Sequence, residues 1–253
     1  HRTTRSVTVT EAGNTLLNTA LQIEGLTFKA RRNIESLQKE DCGHIKFTAP
    51  SSLYQKFCTS LIPEFNASYP NVDIHLEFST ALMDIEFGEF DVALRANDQL
   101  PSNVIAKPVG AMINILVASP EWAEKKPINS PYELTEVESL QNSLNSEWNQ
   151  WALISEDNNH AIIDTKGTIS SSNYGALKAL AIAGMGVANL PIPIVEDSLK
   201  RGELVRVLPQ WHTTPHYFYL VYARQKQYPK KLTDFINSIF VWRTKNAHWF
   251  TSQ

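Results

Sequence analysis

Between residues 11 and 40, small or apolar side chains recur at alternating steps of three and four: Gly13, Leu16, Ala20, Ile23, Thr27, Ala30, Ile34 and Leu37. On a helix this seven-residue repeat draws a narrow apolar seam, which asks for a second helix rather than a broad core. The spacing predicts one long helix over 11–41, dimerising through Leu16, Ala20, Ile23, Thr27, Ala30, Ile34 and Leu37. The alternative is a surface helix packed on its own domain. Thr10 is placed to cap the first turn, and Gly43 in "EDCGH" to stop the helix.

Past Gly43 the pattern changes to short apolar runs alternating with helical periodicity. "HIKFTA" (44–49), "NVDIHLEF" (71–78), "FDVALR" (90–95), "INILVASP" (113–120) and "YFYLVYA" (217–223) read as strands. Residues 52–69 read as a helix with Leu53, Phe57, Leu61 and Phe65 on one face, bent or interrupted at Pro63. Residues 175–191 read as a helix running into a strand, 192–208 as helix, glycine turn and strand, and 228–242 as a final helix. Strands covered on both faces predict parallel sheets. The expectation is an α/β protein of two subdomains, 44–118 with 216–253 returning to it, and 119–215. Open α/β sheets bind ligands beyond the carboxyl ends of their strands, so a cleft between the two is the natural small-molecule site.

Composition narrows the class. The chain has 253 residues, 43% hydrophobic and 19% charged, as in an ordinary globular protein, with a net charge of −3. Residues 1–40 carry six basic against four acidic side chains, and the rest 17 against 22, a mild asymmetry that hints at an anionic partner for the N-terminal segment. Cys42 and Cys58 make no disulfide framework and read as reduced thiols, with a redox role for Cys42 the minor alternative. No run is long and apolar enough for a membrane span and no leader is evident, so a soluble, cytoplasmic protein is expected. The seven histidines lack ligand spacing, and neither a metal nor a cofactor is expected. "GMG" at 184–186 lacks the third glycine of a nucleotide loop and reads as a helix C-cap. No nucleophile elbow or acid–base constellation calls for an enzyme.

Polar residues at strand ends carry more. Ser51 and Ser52 follow the first strand, Ser79 and Thr80 the second, Arg95 ends the third, and "SSSN" (170–173) precedes a helix. Brought together they would offer hydroxyls, helix N-termini and a guanidinium to a small anion. The competing reading makes the serines and Asn173 helix caps, and pairs Arg95 with Asp91 or Asp98.

"RTTRSVTVTEAG" (2–13) resembles the wing and the turn into the linker helix of LysR-type transcriptional regulators. The resemblance continues in order through "IKFTAPSSL", "FDVALR", "ILVASPEW", "AGMGVANLP" and "LKRGELVRVLPQW", with wording similar to the branch containing CrgA and AphB. Val9 stands where that family usually has leucine. The resemblance implies a helix-turn-helix preceding residue 1, with residues 1–10 a remnant of its wing. It implies a linker helix that forms dimers and tetramers, and a periplasmic-binding-protein-like (type 2) effector domain of two lobes. By position it implies effector contacts at Ser51, Ser52, Thr80, Arg95, Ser172 and Asn173, and DNA phosphate contacts at Arg2 and Arg5. Promoter DNA is then the partner of the full-length protein alone, because a major groove is read by a helix lying upstream. A solute-binding receptor of the same fold is the alternative.

Overall fold

The computed structural model describes residues 10–36, 41–79, 90–96 and 104–250. Helix α1 spans Glu11–Ser36. Thr10 caps it as expected: its Oγ1 accepts the Gly13 N–H at 3.1 Å and its carbonyl accepts the Asn14 N–H at 2.8 Å. Leu16 is 72% exposed and Ile23 61%, and Ala20, Thr27 and Ala30 are exposed with them. Leu17, Leu21 and Leu26 are exposed too. At about 100° per residue, Leu17 and Leu21 widen the seam on one side and Leu26 on the other. The apolar face is therefore broader than two positions per heptad. Ile34 falls within α1, but its side chain lies outside the described residues, as do Leu37, Arg2 and Arg5.

One expectation is corrected at the end of this segment. Strand β1 (Cys42–Ala49) has already begun at Cys42, so Gly43 sits inside it at φ 108° and does not cap the helix. The pairing of Cys42 with Asn71 and Gly43 with Val72 recruits these residues into the sheet. Buried Lys231 donates to the Cys42 carbonyl at 2.5 Å and fixes this junction to the body of the domain.

After β1 a 3-10 turn (Ser51–Leu53) leads into α2 (Tyr54–Lys56), a π segment (Phe57–Leu61) and α3 (Ile62–Ser68). The widened turn lies just before Pro63, whose ring cannot follow an undistorted α-helix and whose nitrogen cannot donate. Strands β2 (Asn71–Phe78), β3 (Val92–Arg95) and β4 (Val104–Met112) complete the outward path. The chain then forms β5 (Asn114–Ala118), α4 (Pro120–Lys125), β6 (Ser139–Asn142), the hairpin β7 (Gln150–Ser155) and β8 (His160–Asp164), and β9 (Ser170–Ser171). Helix α5 (Tyr174–Ile182), β10 (Val187–Pro191), α6 (Ile192–Lys200), β11 (Val205–Arg206) and β12 (Trp211–Thr213) follow. Strand β13 (His216–Ala223) and α7 (Lys230–Lys245) bring it back.

The sheets are mixed, not parallel. The first has the order β2-β1-β3-β13-β4, with β13 antiparallel to both neighbours. The second has the order β11-β5-β10-β6-β9, with β5 antiparallel to β10 and β11, and β12-β7-β8 forms a third. The cause is the crossover. The chain leaves the first sheet through β4, enters the second through β5 at Ile113, and returns from β12 through residues 214–215 into β13. A strand that returns without a crossover helix lies antiparallel to the one that left. β5 therefore sits in the second sheet rather than with residues 44–112. The Asn114 N–H donates to Thr213 Oγ1 at 2.9 Å, tying the two crossings together.

The first sheet has its own apolar core, and the second has one on each side, the third sheet packing into one of these. Phe47, Phe57, Phe235 and Trp242 centre the first, with α7 presenting Phe235, Ile239 and Trp242 at helical spacing. Leu116, Trp151 and Ile163 pack on one side of the second, and Leu177, Leu190 and Val195 on the other. Ile192, at the start of α6, packs against both the first core and the second. Helices α5 and α6, which flank the second sheet, end alike. Gly184 and Gly202 take φ of 74° and 71°, and the N–H groups of Met185 and Glu203 reach back to Leu180 and Ser198. These are Schellman caps, so "GMG" is a helix stop, as its sequence position implied.

Candidate functional site

Between the sheets lies a cleft of about 410 Å³, lined from the first lobe by Pro50, Ser52, Ser79, Arg95 and Phe218 and from the second by Leu140, Trp148, Tyr174, Leu177 and Asn189. This volume is that of a small-molecule site. Its position follows from the topology: Arg95 ends β3 and Asn142 ends β6, and both lie at the cleft.

Arg95 is the buried charge of the cleft wall, 7% exposed. Strand β3 is buried along its whole length, and its last side chain meets solvent only to that small extent, at the cleft. The guanidinium donates to the Leu94 carbonyl at 3.0 Å and to Thr48 Oγ1 at 2.9 Å, both neutral, while its Nε has no partner among the described residues. Burial pulls its pKa down and the nearby Glu77 carboxylate pulls it up. An arginine stays protonated through such a shift, so the cleft wall holds a positive charge short of acceptors.

Of the residues anticipated for the site, Ser52 and Arg95 line the cleft together. Ser51 is its half-buried neighbour and is not part of the lining, whereas Ser79 is. Thr80 lies outside the described residues. Ser172 and Asn173 are exposed and also stand outside the lining. Asn173 caps α5, its Oδ1 accepting the N–H groups of Gly175 at 2.7 Å and Ala176 at 3.1 Å. The first turn of that helix, through Tyr174 and Leu177, is what reaches the cleft. Asp91 accepts the Lys46 N–H at 2.9 Å, and Asp98 lies outside the described residues.

Sequence reasoning missed the second wall. Asn189 on β10 has a buried Oδ1 without a partner. Its signal was a single polar residue inside the apolar run "VANLP". Trp148, in a 3-10 turn, and His216, at the start of β13, also line the cleft. Desolvation at the cleft pushes the His216 pKa below its ordinary value. Glu147 contributes an exposed carboxylate at the edge.

Beside the cleft the lobes are clasped. On α6, Glu196 accepts from Lys200 at 2.9 Å, from His248 Nε2 at 3.0 Å and from the Trp249 indole at 3.0 Å. Lys56 of α2 pairs with Asp197 at 3.0 Å and lies over the Trp249 ring at 5.2 Å. Burial works to raise the Glu196 pKa, but the hydrogen bonds from Lys200, His248 and Trp249 outweigh it and hold the value at about 2.

Residues 38–240 match the family described as the LysR substrate binding domain. The chain belongs to that family. Its relatives are transcriptional regulators, not enzymes, and LysR-type regulators bind DNA and effectors. The LysR domain is 27% identical to the regulator PtxR of Pseudomonas aeruginosa over 94% of the chain and 76% of PtxR. It is 26% identical to PgrR of Escherichia coli over 94% of the chain and 81% of PgrR. Among solved structures, the regulatory domain of AphB from Vibrio vulnificus matches with a TM-score of 0.68 and 25% identity, covering 80% of this chain and all of that one. CrgA from Neisseria meningitidis matches in fold with a TM-score of 0.72 and 23% identity, over 96% of this chain and 83% of CrgA. The LysR effector-binding domain thus has the expected α/β architecture, with an N-terminal helix and a two-lobed periplasmic-binding-protein type 2 body. Among the described residues no helix is long and apolar enough to cross a membrane.

Proposed function

We propose that this LysR domain senses a small anionic effector in the interlobe cleft and so modulates promoter binding by the full-length regulator. The observation that carries the reading is Arg95, a buried guanidinium at the cleft wall with an unpartnered Nε. A buried charge so placed is costly until an acceptor arrives, and a carboxylate is the acceptor that fits a guanidinium best. Ser52 and Ser79 line the same cleft, and Thr80 follows Ser79 in the sequence. Asn173 supports the site as the cap of the helix whose first turn reaches the cleft, Ser172 precedes it in sequence, and Ser51 lies between the lining residues Pro50 and Ser52.

The exposed face of α1 supports self-association into dimers or tetramers. Leu16, Leu17, Leu21, Ile23 and Leu26 are more apolar surface than a solitary helix keeps in water. Arg2 and Arg5 would contact DNA phosphates and position the regulator without reading bases. This assigns the protein to the cytoplasm, where promoter DNA is. Calorimetric titration with a panel of small carboxylates and their neutral amides tests the effector reading. A saturable carboxylate signal that disappears in Arg95→Met is expected. Equal binding of a carboxylate by parent and variant contradicts it.

A further inference from the structure

The cleft holds a second polar atom as poorly served as Arg95 Nε, and it lies on the other lobe. Asn189 Oδ1 is buried on β10 without a hydrogen-bond partner, while Arg95 ends β3 in the first sheet. Two other amides of the lining have bonds of their own. Asn149 Oδ1 accepts the Asn142 N–H at 2.7 Å and its Nδ2 donates to the Asn142 carbonyl at 2.9 Å, while Asn142 Oδ1 accepts the Leu144 N–H at 2.8 Å. Thr213 is occupied by Asn114. Among the described residues that line the cleft, Arg95 Nε and Asn189 Oδ1 are the buried side-chain atoms without a hydrogen-bond partner; they belong to opposite walls, and each costs stability while it lacks one.

Met112, Leu140, Leu177, Pro191 and Phe218 supply apolar lining to the same cleft. A ligand that answers all of this carries an anionic acceptor at one point, a hydrogen-bond donor at another, and a compact apolar body. A neutral donor is favoured, because the Glu147 carboxylate is exposed and solvent screens it from the interior of the cleft. An ammonium would share a low-dielectric cleft with the Arg95 guanidinium, and like charges there repel strongly. A hydroxyl donates without that cost.

We infer that the effector of this domain is a small hydroxycarboxylate, its carboxylate taken by Arg95 and its hydroxyl donating to Asn189, so that one molecule bridges the two lobes. The inference rests on the effector reading above and adds the hydroxyl and its partner. Bridging also couples ligand to lobe geometry, because only an arrangement that brings both walls to the ligand satisfies both groups.

The test is calorimetric titration of the full chain with phenylacetate, the three hydroxyphenylacetate isomers and the three hydroxyphenylacetamides. At least one hydroxy acid should bind about tenfold or more tighter than phenylacetate and than its own amide, as a buried unpaired partner implies. In Asn189→Leu, an apolar side chain of similar shape, the preference for the hydroxyl should vanish while the preference for acid over amide persists. Phenylacetate binding as tightly as every hydroxy acid overturns the hydroxyl assignment and leaves the anion reading standing. An amide binding as tightly as its acid overturns the reading underneath. No saturable binding of any of these probes overturns the hydroxycarboxylate assignment. The ligand comparison on the parent chain decides the matter even where the variant folds poorly.

Discussion

Trp249, close to the end of the chain, donates its indole N–H to Glu196 on α6 at 3.0 Å. Trp249 belongs to the core of the first lobe, and α6 flanks the sheet of the second. This bond therefore joins the lobes at a place remote in sequence from the two crossings at Ile113 and residues 214–215. Together with Lys56 and His248 it makes a third connection, one that can be broken without cutting the chain.

Glu196→Gln should weaken that connection and change the acid response. The Glu196 carboxyl falls from a usual 4.5 to about 2 on folding, so its contribution is fully present above pH 4.5 and drains away as pH drops towards 2. The parent should lose stability through that window more steeply than the variant. At neutral pH the variant should be less stable by about 1 kcal/mol, since glutamine can still accept from Trp249 but no longer carries the charge. Denaturant midpoints at pH 7, 4 and 2.5 check both statements.

The paired Schellman caps make a separate comparison. Gly184 and Gly202 share the left-handed conformation, and alanine at either should cost about 1 kcal/mol from backbone strain alone. A Cβ at Gly202 meets nothing within 4 Å, whereas one at Gly184 lies 3.3 Å from Ser119 Oγ. Gly184→Ala should therefore be the more destabilising, as read by urea unfolding of the two variants. The reverse order would mean that strain, not the neighbour, sets the difference.

Leu16→Asp with Ile23→Asp should lower the molar mass seen by light scattering without shifting the unfolding of the effector domain. Both side chains are exposed on α1, so no core is disturbed by the change. A loss of domain stability would place the apolar face against the domain rather than against a partner.

The sequence disclosed these features unevenly, for physical reasons. Thr10 and the α1 repeat were legible because caps and helical faces are local properties, fixed within a few residues. Ser52 and Arg95 were legible as cleft-lining residues because they end a strand or follow one, and in α/β folds such ends open onto the cleft. Ser172 and Asn173 had the same local appearance, yet Asn173 serves its own helix and the reach into the cleft comes from Tyr174 and Leu177. Asn189 was hidden because strand pairing, not sequence neighbourhood, brings β10 opposite Arg95's lobe. The direction of β13 was hidden for a similar reason: its residues read as a buried strand in either orientation, and only the return crossing decides which.

The most direct measurement is the thermal midpoint of Arg95→Met beside the parent, each with and without a carboxylate that binds the parent. Arg95 spends buried charge on two neutral acceptors and leaves Nε unserved, so the unliganded variant should be at least as stable, by up to about 1 kcal/mol. At a ligand concentration near 100 times Kd the parent should gain about 2.7 kcal/mol and the variant nothing. A variant that is markedly less stable alone, yet still stabilised by the carboxylate, would contradict the account. Arg95 would then be holding the fold together, and the effector would bind elsewhere.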